Sequence, residues 1–200
     1  VLSCDVEATK GLVFDIPASS KTKAESIETE SSFANNVVPD GVEGTYGVSV
    51  DIGTTTVVAY LYDLGTGKRL GVVADMNPQK VFGADVISRI DYASKGDAER
   101  ANVHSKIIDC INNMIDNLLS EAKLNDVKLK KVVITGNTTM QHFFADWDAS
   151  GIAVAPFVAY TYDSAEMSGE EAGVEKAEKV LITPSVSAYV GGDVVCGITS

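Results

Sequence analysis

The chain has 200 residues, 45% of them hydrophobic and 22% charged, enough to bury a core of ordinary size. Its 16 Lys and Arg against 28 Asp and Glu leave a net charge of −12, which argues against a nucleic-acid partner and an anionic membrane surface, since both need a basic face. No stretch reaches the roughly 18 consecutive apolar residues of a membrane helix.

Residues 1–17 read as one or two short extended pieces ending at Pro17. Val1-Leu2-Ser3-Cys4 has the form of a lipoprotein cleavage box, but no charged and apolar leader precedes it, and no lipid anchor is expected. The three cysteines, Cys4, Cys110 and Cys196, are too dispersed for a disulfide framework, so the expected compartment is a reducing cytoplasm. With no initiating Met and an abrupt end, the sequence is expected to be a piece of a longer polypeptide. Residues 18–45 are rich in Ser, Thr, Lys and Glu and poor in large apolar groups, as a solvated linker is.

From Tyr46 the pattern is globular and predicts one domain over 46–200. VSVD (48–51) predicts a strand, TTVVAYLYDL (55–64) a second and KRLGVVADM (68–76) a third, with Gly65-Thr66-Gly67 turning the last two into a hairpin. Helices are predicted over 84–94 and 98–122. In the longer one Val103, Ile107, Ile111, Met114, Ile115, Leu118 and Ala122 recur on one face, and Asp97 stands where an N-cap would. KKVVITG (130–136) predicts a buried strand, and Asn137 opens a helix through His142-Phe143-Phe144. VLITP (180–184) predicts a fifth strand, and a last helix starts near Gly192. Three meandering strands, then helix, strand, helix and strand, make a mixed α/β fold: a ribonuclease-H-like half with a five-stranded mixed sheet and flanking helices.

Between the first two strands an apolar run is broken by Asp51, Gly53, Thr54, Thr55 and Thr56. A polyphosphate needs donors on a backbone that can come close. Gly53 removes the side chain where the chain must turn, and the three threonines add hydroxyls without charge. Each hydrogen bond to a charged oxygen is worth roughly 1.5–3 kcal/mol. Asp51 suits such a site if a hydrated Mg²⁺ stands between it and the phosphates. A plain hairpin with a polar tip is the simpler reading, but it does not call for three threonines. Gly136, Asn137 and Thr138 open a helix after a buried strand, where free N–H groups favour an anion; an ordinary Asn cap accounts for them too. Asp193, after Gly191-Gly192, is placed either to orient water or a magnesium ligand or to cap its helix.

Taken in order, VDIGTTT, NPQKVFGADVISRI (77–90), TGNTTMQHFF (135–144), GIAVAPF (151–157) and PSVSAYVGGDVV (184–195) resemble the ATP-dependent reductive activators of corrinoid proteins, in the superfamily of actin and the sugar kinases. The resemblance covers most of 46–200 and is weakest at 158–178. It implies that 46–200 is the middle domain of an activator, the first nucleotide-binding half, and that 1–17 is the end of a ferredoxin-like domain running into the linker. Cys4 would match the last ligand of a [2Fe–2S] cluster whose other ligands lie upstream. The implied cofactors are ATP and Mg²⁺, plus the cluster in the full-length protein. The implied partner is a corrinoid protein or corrinoid-dependent methyltransferase, with a homodimer possible. The implied activity is one-electron reduction of Co(II) corrinoid to Co(I), with Asp51 and Asp193 catalytic, and this piece alone is expected to be inactive.

Asp85, Ser88 and Arg89 are further candidates in the family pattern, although a capped amphipathic helix explains them as well. His104 and His142 lie on separate helices without a ligand partner at metal spacing and read as packing residues. Cys110, Cys196 and the cluster of Trp147 with Phe143 and Phe144 read as core, the last with docking as the alternative. Gly169-Glu170-Glu171 reads as a solvated loop. Two rival functions remain at this level: a small-molecule kinase of the same superfamily, and a non-catalytic nucleotide-binding assembly or sensor module.

Overall fold

The computed structural model describes residues 37–199, with side chains described to Cys196. Strands β1 (Tyr46–Ile52), β2 (Thr56–Asp63) and β3 (Lys68–Met76) form an antiparallel meander. A 3-10 turn (Pro78–Val81) leads to helices α1 (Val86–Ala93) and α2 (Asp97–Glu121). Then come β4 (Lys131–Gly136), α3 (Thr138–Phe144), the single turn α4 (Ser150–Ala153), β5 (Ala165–Ser168), β6 (Lys179–Ile182) and α5 (Gly192–Thr199). The sheet runs β3-β2-β1-β4-β6-β5, with β1, β4 and β6 parallel and β5 antiparallel to β6.

The mixed α/β architecture is the expected one, with six strands instead of five. The sixth, β5, is a four-residue edge strand in the polar stretch, held to β6 by its ladder and by Glu166, which pairs with Lys179 at 2.7 Å. Strand alternation builds the core. Val48, Val50 and Ile52 of β1, Val57, Ala59 and Leu61 of β2, Val132 and Ile134 of β4, and Val180 and Ile182 of β6 are buried in one cluster. The same cluster holds Val103, Ile107, Ile111, Met114, Ile115 and Leu118, the apolar stripe of α2. Truncating one of these to Ala costs about 2–5 kcal/mol. Ser49 and Asp51, one residue out of phase, belong to the other sheet face.

Helix starts follow local chemistry. Asp85 caps α1 in a box with Ser88, and Asn137 caps α3 by accepting the Met140 N–H. Asp97 differs from expectation: Gly96 is the cap residue and Asp97 the first helical one. Its carboxylate lies 3.5 Å from Arg100 Nη2, and it acts on the helix through the favourable field of an acid in the first turn. Residues 37–45, the described part of the polar linker, lie along the β2–β3 turn, where the Asp40 N–H donates to the Leu64 carbonyl and Lys130 pairs with Asp40 at 2.9 Å. Among the described residues no helix is long and apolar enough to cross a membrane.

Candidate functional site

Because β1, β4 and β6 are parallel and adjacent, their carboxyl ends open on one edge, where α/β sheets hold ligands. Asp51 stands opposite Thr135 across the β1–β4 ladder, and Ile52 opposite Gly136. After β1 the chain reverses through Gly53, whose N–H donates to the Thr56 carbonyl at 2.9 Å. A Cβ on Gly53 would lie 2.7 Å from that carbonyl oxygen, so the turn admits no side chain. Gly136, at φ +154°, packs on the Ile52 carbonyl, and a Cβ on Gly191 would lie 2.5 Å from Asn137 Cα. The loops after β1, β4 and β6 therefore meet backbone to backbone.

Asp51 is reached by solvent but crowded by the protein, and this desolvation raises its carboxyl above the ordinary range. The negative charge of Asp193 adds to the rise. Asp193 lies exposed in the first turn of α5, with its Oδ1 accepting the Val194 N–H at 2.9 Å. Among the described residues no lysine or arginine forms an ion pair with either acid. The two acids face the same edge of the sheet, at the mouth of the glycine loops.

The threonines fall beside this pair, Thr55 exposed and Thr54 and Thr56 half-buried. Asn137 spends both ends of its amide on protein: Oδ1 accepts the Met140 N–H, and Nδ2 donates to Thr54 Oγ1 at 3.1 Å. That leaves the Thr54 hydroxyl proton to donate elsewhere. Thr138 is placed differently from a ligand residue. Its hydroxyl is buried and donates to the Ser187 carbonyl at 2.6 Å, tying the loop before α5 to α3. Gly136 contributes close backbone approach alone.

Support comes from residues that carried no role in the sequence. Gln141 Nε2 donates to the carbonyl and hydroxyl of Thr183 at 2.8 and 2.9 Å, and Ser185 donates to Gln141 Oε1 at 2.6 Å. Gly192 rests on this buried cluster, and a Cβ there would lie 2.6 Å from Gln141 Nε2. Asn77, fully buried, donates from Nδ2 to the Gly53 carbonyl at 2.8 Å. Their partners are 24 to 44 residues away in sequence, so only the fold reveals them.

The remaining candidates sit apart from the acid pair. Asp85 and Ser88 serve the α1 cap. Arg89 is buried, with Nε donating to the Gly83 carbonyl at 2.9 Å and Nη1 lying 3.7 Å from Met140 Sδ. His142 is buried against Trp147, its Nδ1 2.7 Å from the Thr138 carbonyl, and His104 Nδ1 lies 3.2 Å from the Phe143 carbonyl. Phe143 and Phe144 are core, and Trp147 lines a cavity of about 210 Å³ with Arg100 and Ser150. Cys110 is half-buried beside Met114, and Cys196 is half-buried with its Sγ 3.8 Å from Thr135 Oγ1. Gly169 is buried in its turn, and Glu171 accepts from Ser168. Cys4 lies outside the described residues.

Comparison with known proteins matches residues 46–200 to the family described as the RACo middle region. The chain is 33% identical over 150 residues to the corrinoid activation enzyme RamQ of Eubacterium limosum, covering 74% of this chain and 25% of that protein. A solved structure of a reductive activator for corrinoid, iron-sulfur protein superposes with a TM-score of 0.74 at 36% identity, covering 77% of this chain and 25% of the other. The chain thus spans about a quarter of the length of these relatives.

Proposed function

Because this chain belongs to the RACo middle region family, we propose that it forms one wall of an ATP cleft in a reductive activator of a corrinoid protein. The observation that carries this reading is the Asp51–Asp193 pair, set among three loops whose glycines, Gly53, Gly136 and Gly191, bring the backbones into close contact. A hydrated Mg²⁺ fits there, since magnesium is usually held by one or two carboxylates together with substrate phosphates. Among the described residues no group of three or more His, Cys, Asp or Glu builds a metal site by itself. When bound, magnesium neutralises phosphate charge.

The chain's own groups do the recognition. Thr54, Thr55 and Thr56 offer hydroxyl and backbone donors to phosphate oxygens, with Asn137 holding Thr54 in place. Gly53, Gly136 and Gly191 let the backbone approach, and Asp193 orients water or a magnesium ligand. Asp51 and Thr55 are exposed, so the wall is open and a facing lobe would complete it. ATP would act through a difference in affinity between the closed and open arrangements, since a ligand shifts a conformational equilibrium only by that difference. The step served is reduction of Co(II) to Co(I) on a corrinoid protein. A [2Fe–2S] centre, which takes four thiolates, would supply the electron for it. Cys4 would be one of those thiolates.

The test is calorimetric titration of the intact protein with Mg·ATP, paired with the visible spectrum of a Co(II) corrinoid protein under a supplied electron donor. Heat of association and nucleotide-dependent loss of Co(II) are expected, both abolished by Asp51→Ala. An intact protein that takes up no Mg·ATP, or an Asp51→Ala variant with unchanged turnover, overturns the reading.

A further inference from the structure

We propose that Asn77, buried beneath the first loop, is a positioning residue that aims the N–H groups of Thr54 and Thr56 at phosphate; this rests on the nucleotide reading above. Asn77 is 0% exposed and holds two carbonyls of the loop, Gly53 O through its side-chain Nδ2 and Thr55 O through its own backbone N–H, each at 2.8 Å. In a trans peptide the carbonyl of one residue and the N–H of the next point in opposite directions. Pulling the Gly53 and Thr55 carbonyls toward buried Asn77 therefore turns the Thr54 and Thr56 N–H groups the way that leaves the core.

The amide cannot be reversed. Asn77 Oδ1 accepts the Gln79 N–H at 2.9 Å, which fixes the oxygen on that side and the nitrogen on the loop side. The 3-10 turn begun by Pro78 closes over it, with the Lys80 N–H on the Asn77 carbonyl at 3.2 Å. Met140 Sδ lies 3.5 Å from Asn77 Nδ2, and the Met140 N–H is held by Asn137, whose own Nδ2 holds Thr54 Oγ1. The first loop is thus braced from two sides by a closed ring of contacts. Asp at 77 would set an acceptor against the Gly53 carbonyl, and Ala would leave that carbonyl without its donor. Asn77 thereby supports the proposed phosphate loop without touching phosphate.

The experiment uses the intact protein, with 15N-labelled threonine, titrated with Mg·ATP. In wild type the Thr54 and Thr56 amide resonances move downfield as calorimetry registers binding. Asn77→Ala and Asn77→Asp should bind at least about tenfold more weakly, the loss expected from one misaimed charge-assisted hydrogen bond; the Thr54 amide shift should collapse, while Thr56, oriented through the Asn77 backbone N–H that both variants keep, should retain more of its shift. Gln79→Ala is the control, because Gln79 anchors the same turn through Val103 O at 3.0 Å and touches nothing in the loop. It should lower the melting temperature and leave affinity within about twofold. A folded Asn77→Ala variant with wild-type affinity sinks the proposal. If neither Asn77 variant folds, wild-type amides that ignore bound Mg·ATP sink it as well. Absence of any binding by wild type overturns the nucleotide reading itself, so the two failures are distinguishable.

Discussion

Asp51→Asn should move stability in two opposite directions, depending on ligand. The substitution keeps the shape of the side chain and removes its charge. Desolvation, and secondarily Asp193, hold the Asp51 carboxyl above its ordinary range. A carboxyl raised in the folded state stabilises at low pH and loses that contribution as pH rises through its folded value, so at pH 7 the ionised group opposes folding. Solvent reaches Asp51, and screening keeps the cost below about 1 kcal/mol. The transition that unfolds this domain should therefore come higher in the unliganded variant, by no more than about 2–4 °C for a cooperative unit of this length. Mg·ATP at about 100 times its Kd should stabilise wild type by about 2.7 kcal/mol, which is about 5–10 °C. The variant should lose most of that shift. Thermal unfolding of the intact protein, with and without Mg·ATP, reads both effects in one experiment. A general folding defect would lower both melts, so the crossing is specific. An unliganded variant that melts below wild type, or one that keeps the nucleotide shift, refutes the electrostatic reading of the acid pair.

Acid should weaken the fold through His142. Burial holds its pKa below the ordinary value, while the Thr138 hydrogen bond and the charge of Asp148 oppose that shift; buried Nε2 has no partner. Stability is then full above the unfolded value of about 6.5 and falls below it by up to about 1.4 kcal/mol per pH unit. In urea unfolding at pH 7.5 and 5.5, wild type should lose more than His142→Asn, which can still donate to the Thr138 carbonyl; equal losses would discard the argument. Burial, with a smaller contribution from Asp75, pushes the Cys110 thiol up to about 11. Carboxymethylation of Cys110 at pH 8 should be more than about tenfold slower than that of a free thiol, and Asp75→Asn should speed it. Labelling at the free-thiol rate would show that the sulfur is not held as described.

What the sequence made legible was periodic or local. The α2 stripe follows a helical period over 25 residues, and β3 was bounded residue for residue. Asn137 was recognisable as a cap because the cap is local. The strand β5 was not, because Ala165–Ser168 is four residues long, half exposed and stabilised by its neighbour's ladder instead of its own pattern. Asp97 missed its cap position by one residue because the chemistry of Asp suits both the cap and the first turn. At the site, the acids and glycines were visible as residue types that an apolar run does not need. Thr138 looked equivalent to its neighbours until helix geometry turned its hydroxyl onto Ser187. Asn77, Gln141 and Thr183 were silent because each acts on a carbonyl or hydroxyl far along the chain.

The sheet order has a temporal consequence. The meander β3-β2-β1 forms from neighbouring segments, and the Asn77 brace closes a loop of only 24 residues. Pairing β1 with β4 needs a crossover from Ile52 to Lys131, and the Gly191 contact with Asn137 must wait for β6. Long closures are entropically dearer and slower than short ones. On the ribosome, the loop after β1 is therefore shaped early, while Asp193 joins it only after β6 has paired. Nascent chains halted before about residue 190 would display the first loop without Asp193, so the two acids meet only once β6 has docked.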